Sequence, residues 1–300
     1  MHKRTAVALA AALLSSTFPA ASRLNAQVPP FAAPTFQRGD VIVSLEPGPV
    51  QWHLSDGTLK RVLVGTEPGT GEGMAFDAAG NLYVTRWCWD SSCSTGNTVE
   101  KYSTAGLPAG TFGSGYNCNP HTILFDGAGA AYVGLAGCSG AIVRLVGGEP
   151  AATFTVAPEY QGTFWMDLAP DGCTMYYTSY GPNVKRHDLC TGRQLADFNL
   201  VPLPGGATQD LRILPDGGVL VSSGQVIARL NADGALVQTY GIPAEPSLWA
   251  GLDLVGDGTF WAGNYESSNV YRFDLTTGAV RHHFNAGSPS HTVVGIRVKK

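Results

Sequence analysis

Glu72 stands in the stretch "GEGMAFDAAGNLYVT", where a strand runs into a tight turn and a second strand. A carboxylate at the mouth of a strand can hold a metal ion or a cation. His121 occupies the matching place in a similar segment, Gln209 occupies it in a third with Asp210 beside it, and His291 lies just before a fourth. Glu72, His121, Gln209 and His291 thus stand at or beside comparable strand mouths, where oxygen and imidazole donors suit calcium or zinc. Trp87, Trp89, Trp165, Trp249 and Tyr265 fall in or beside the loops on the same side. With His121 and Asp210 they form a candidate ligand-binding mouth suited to a small molecule, a glycan or a protein partner. The loop from Arg86 to Asn97 is longer than its hairpin requires, which marks it as functional. No GxSxG motif and no phosphate-cradling glycine loop before a helix occurs.

The elements that position these residues recur down the chain. Copies of the opening segment contain the turn glycines Gly80, Gly129, Gly172, Gly217 and Gly258, separated by 49, 43, 45 and 41 residues. Each copy is followed by a second strand-turn-strand half, so one repeat holds four antiparallel strands. A four-stranded sheet of roughly 45 residues is the blade of a β-propeller. "GDVIVSL" and "VQWHLSDGTLKRVLV" near the N-terminus lack an innermost strand, and "GIRV" near the C-terminus is an innermost strand without followers. Joined, they complete a sixth blade and leave no open edge in the ring. The expected fold is all-β, a six-bladed β-propeller of four-stranded antiparallel blades closed by terminal strands that share a blade.

Residues 1–26 have a basic start and a short apolar run, and read as a secretory signal peptide. Residues 27–39 read as a Pro/Ala-rich leader and 40–300 as the propeller. No later run is long enough to span a bilayer. The net charge is −4 without a basic stripe, which argues against nucleic acid and anionic membrane surfaces as partners. A secreted or periplasmic monomer is expected. Six cysteines without a CxxC spacing favour disulfides over a thiolate metal site in an exported chain. Counting outward from a turn at Gly181-Pro182 sets Cys173 opposite Cys190. Antiparallel pairing brings Cys118 and Cys138 to one end of a blade, and Cys88–Cys93 remains, within one loop.

These repeats resemble the NHL-repeat propellers and the regucalcin/gluconolactonase group over nearly all of the mature chain. The segment with Cys118 and Cys138 also looks like a disulfide-bearing blade of peptidyl-α-hydroxyglycine α-amidating lyase. The resemblance implies a divalent metal over the central channel, held in the lactonases by a Glu, an Asn and an Asp. Glu72 matches the Glu, whereas Phe164 falls at the Asn and Gln209 at the Asp. The His ligands of the amidating lyase suggest Glu72, His121 and His291 as a zinc set. Streptogramin-inactivating lyases have "GNLYVT"-like strands but seven blades. The expected role is binding at the aromatic mouth, and the alternative is a metal-dependent lactonase or lyase.

Overall fold

The computed structural model describes residues 33–66, 68–88, 96–116, 119–137, 140–246, 248–287 and 293–300. Among them are six four-stranded antiparallel sheets arranged as a ring. Blade 1 takes its innermost strand, Val293–Val298, from the C-terminus and its outer three, Val41–Leu45, Val50–His53 and Leu59–Leu63, from the N-terminus. The innermost strands of blades 2 to 6 are Thr70–Phe76, Pro120–Phe125, Met166–Leu168, Thr208–Ile213 and Trp249–Leu254. Each touches the next around the ring, and Trp249–Leu254 touches Val293–Val298 to close it. Among the described residues no helix is long and apolar enough to cross a membrane.

The first hairpins turn at the spaced glycines. Gly80, Gly129, Gly172, Gly217 and Gly258 all have φ between 69° and 85°, a region that L side chains resist. Strand residues alternate between the two faces of a blade, and both faces are apolar, because each blade is packed between two others. Among the described residues the core consequently divides into six clusters, one per blade interface, and a seventh of Ala136, Phe164 and Trp165. Phe36, ahead of the first strand, is buried against Trp52 in the wedge between blades 1 and 2. The compact unit runs from Pro34 to Lys300.

Polar groups fasten the blades near the axis. Ser44 Oγ donates to the carbonyl of Glu72 at 2.7 Å, and Thr85 Oγ1 donates to that of His121 at 3.0 Å. Thr178 Oγ1 likewise reaches Gln209 O at 2.5 Å, and Ser222 Oγ reaches Ala250 O at 2.8 Å. Each hydroxyl stands in the second strand of its blade, or for Thr178 just past its end, and holds the entrance residue of the next. Three carboxylates repeat the device deeper down, with Asp167 accepting from Ile213 N (2.9 Å), Asp210 from Leu252 N (2.9 Å) and Asp253 from Val298 N (2.8 Å).

Cys173 and Cys190 are joined by a disulfide with a Cα–Cα distance of 5.3 Å. Their register differs from the sequence expectation. Thr174 pairs with Asp188 and Tyr177 with Lys185, so Cys173 faces Leu189. The reason is the connection, which runs from residue 178 to residue 184 and is not a two-residue turn. Cys88 is also disulfide-bonded. Its expected partner Cys93, and the expected pair Cys118–Cys138, lie outside the described residues.

Candidate functional site

At one end of the channel the chain enters each innermost strand through Glu72, His121, Phe164, Gln209, Ala250 and Val294, and all six line a cavity of about 320 Å³. Pairing registers shift next to several of these residues, between Gly71 and Met74, between Pro120 and Thr122, between Thr208 and Leu211, and between Trp249 and Leu252. Such bulges re-aim a side chain at the rim of a sheet, here into the channel. The innermost strands also approach closely. A Cβ on Gly73 would lie 2.5 Å from His121 O, and one on Gly295 would lie 2.5 Å from Glu72 O.

Trp165 forms the floor. It belongs to blade 4, yet its indole Cη2 lies 3.1 Å from where a Cβ of Gly295 in blade 1 would stand, across the ring. Glycine at 295 leaves the space for the ring tip. The indole is almost fully buried and meets the His121 ring edge-on at 5.3 Å. Phe164 stacks on the His121 ring, with centroids 3.9 Å apart, and Trp87 meets the imidazole edge-on at 5.4 Å. Tyr180 packs against Phe164 at 5.5 Å. Glu46, Tyr265, Gln161 and Leu248 complete the rim, and Tyr265 Oη donates to Glu46 Oε2 at 2.8 Å. Tyr180 and Leu248 hold positive φ, 64° and 113°, which is uncommon for residues with bulky side chains.

The cup contains carboxyls but no Lys or Arg among its lining residues. Glu72 is 6% exposed and His121 is 4% exposed. Burial, reinforced by the negative charge of Glu46, pushes the Glu72 carboxyl well above the usual range. Burial also lowers the His121 imidazole to about 3, an effect that the adjacent Phe164 backbone offsets only in part. The two groups stand 3.7 Å apart, beyond hydrogen-bond reach, and His121 Nδ1 is buried without a hydrogen-bond partner. Burial thus favours the protonated, neutral form of Glu72 beside a neutral imidazole.

That state makes stability pH-dependent. Because the folded-state pKa of Glu72 is raised, the native state retains a proton that the unfolded chain loses above about pH 4.3. The native state then loses up to about 1.4 kcal/mol per pH unit until Glu72 itself ionises. Glu72→Gln abolishes this loss. Its Tm should equal that of the parent near pH 4 and exceed it increasingly toward pH 8, measured by thermal melts across that range. His121 acts in the opposite sense in both proteins, since stability falls as pH drops from its ordinary value of about 6.5 toward 3. It cancels in the comparison.

The remaining expected site residues divide. Trp87, His121, Trp165, Gln209, Glu72 and Tyr265 line the cup together. Asp210 lies deeper, fully buried, and pairs with Arg212. Trp249 is 1% exposed and packs in the wedge between blades 5 and 6, with Nε1 donating to Gln225 O at 3.2 Å. Trp89 and His291 lie outside the described residues. Glu46, Gln161 and Leu248 were not singled out from sequence. Ser44, Thr85, Thr178 and Ser222 could have been, because each recurs after three strand residues, as in "VIVS" and "VLVS".

The donor set does not suit a hard divalent ion. Glu72, His121 and Gln209 offer one carboxylate, one imidazole and one amide, while the Phe164 ring covers a face of the imidazole. Among the described residues no three His, Cys, Asp or Glu side chains are grouped to hold a metal.

Fold and site together define a six-bladed β-propeller with a cup at one mouth of its channel. No protein-family model matches the chain, and no curated protein matches it in sequence. Solved structures similar to it include a protein of unknown function from Bacteroides caccae, at 14% identity over 88% of this chain and 100% of that one, with a TM-score of 0.70. A chain of the nidogen/laminin complex is 15% identical over 86% and 97%, with a TM-score of 0.67. Virginiamycin B lyase from Staphylococcus aureus is 14% identical over 73% and 71%, with a TM-score of 0.55. At these identities the likeness establishes the fold.

Proposed function

We propose that this chain is an exported propeller of the NHL or regucalcin-like kind that binds a small molecule, or one unit of a glycan or peptide, in the channel-mouth cup. One observation carries the reading. A cavity of about 320 Å³ has a tryptophan floor, aromatic walls and a few convergent polar groups. That is the usual build and the lower size range of a small-molecule site. Export is supported by the Cys173–Cys190 disulfide, which suits an oxidising compartment. The test is a thermal-shift screen of a fragment set spanning neutral, anionic and cationic compounds, with Trp165→Phe as the control. Hits whose shifts diminish in the variant support the reading. A set without such hits would contradict it.

A second reading, a hydrolase or lyase, is favoured by the Glu72–His121 pair, whose shifted acid and base face one cavity. Elemental mass spectrometry on protein purified without chelator addresses its metal-dependent form. Stoichiometric calcium or zinc that disappears in Glu72→Ala would support that form. Metal-free protein with no Tm response to either ion would end it.

A further inference from the structure

Building on the proposed binding role, we infer that the cup selects an organic cation, an ammonium or guanidinium group carried on an apolar or aromatic body. The lining contains two carboxyls, Glu46 and Glu72, and no cationic side chain. Glu72 is 6% exposed, and His121 Nε2 stands 3.7 Å from its carboxyl. His121 Nδ1 is equally buried and has no partner. His121 Nδ1 thus stands unsatisfied beside a buried carboxyl inside an aromatic enclosure, an arrangement that costs stability unless a ligand completes it. An N–H-bearing cation supplies what is missing, with hydrogen bonds toward Glu72 and a positive charge against the ring faces. Trp165, Trp87 and Phe164 are the ring types and sizes that attract such a cation while covering its body. An anion would meet Glu46 and Glu72 with no compensating charge. A neutral ligand would supply no charge to stabilise the ionised carboxyl.

The test uses three ligands of similar size, 2-phenylethylammonium, 2-phenylethanol and 3-phenylpropionate, titrated calorimetrically at pH 7 into the mature chain. The ammonium compound should bind at least ten-fold more tightly than the alcohol, and the propionate should not bind. Glu72→Gln should remove the ten-fold preference and leave the alcohol unchanged. Glu46→Gln, on the rim, provides a second variant should Glu72→Gln fold poorly, and it should weaken the ammonium compound alone. Equal binding of the alcohol, or binding of the propionate, would overturn the cation assignment and leave the binding role standing. Failure of all three would also overturn it, and the fragment screen then decides the binding role separately.

Discussion

Arg212→Ala should destabilise the fold by about 3–5 kcal/mol, the usual cost of removing one partner from a buried ionic cluster. The Arg212 guanidinium donates to Asp253 at 2.8 Å and to Asp210, and it is nearly fully buried. Burial alone would lower its pKa, but Asp210 and Asp253 raise it overall, so it stays charged. Those carboxylates each bind a backbone N–H of the following blade, so the arginine compensates the charge of two inter-blade fasteners. Asp253 also has Lys300 at 3.5 Å and Arg297 at 3.9 Å, and its carboxyl remains well below the usual range despite burial. Among the described residues Asp210 has no second cation, and burial already pushes it up to about 7. Removing Arg212 raises it further, with Asp167 and Asp253 as its acidic neighbours. The loss should therefore be smaller at pH 5, where Asp210 is protonated, than at pH 8. Denaturant melts at both values check this. Arg281→Ala, at the exposed pair with Asp274, should leave the midpoint unchanged.

The second large effect is expected at the floor of the cup. Trp165→Ala removes an almost fully buried indole and should cost about 3–5 kcal/mol. It should also abolish ligand binding, because the cup then opens into the channel and His121 loses its edge-on partner. Trp249→Ala separates the two consequences. Trp249 is as deeply buried but packs between blades 5 and 6, away from the cup. Its loss should cost a similar amount of stability and leave affinity within about three-fold of the parent, since distant sites are additive. Melts and titrations on both variants give the comparison.

The fold was legible because a propeller repeats one decision. Turn glycines at a steady spacing mark the same hairpin in successive blades, and the end segments read as parts of one blade. Counting back from those glycines reaches Glu72, His121 and Gln209, which the structure places in one cavity. The same counting brought in Asp210, which lies one residue past the entrance, where a side chain passes below the rim to Arg212. Trp249 lies one residue before it and turns into the blade interface. Glu46 has no counterpart to align with, because it follows Val41–Leu45 in an irregular connection. The reach of Trp165 across the ring could not be read either. It depends on Gly295 lying opposite, and opposition across six blades is not a local property of sequence. The Cys173–Cys190 register slipped because a seven-residue connection was read as a two-residue turn.

The central claim is that the channel mouth is a preformed cup for a small ligand. A crystal structure of the mature chain soaked with fragment mixtures of all three charge classes tests it most directly. Ligand density is expected above the Trp165 indole, between Phe164 and Glu72, with the six entrance residues unmoved. A cup filled by neighbouring side chains, or fragments found only on other surfaces, would contradict it.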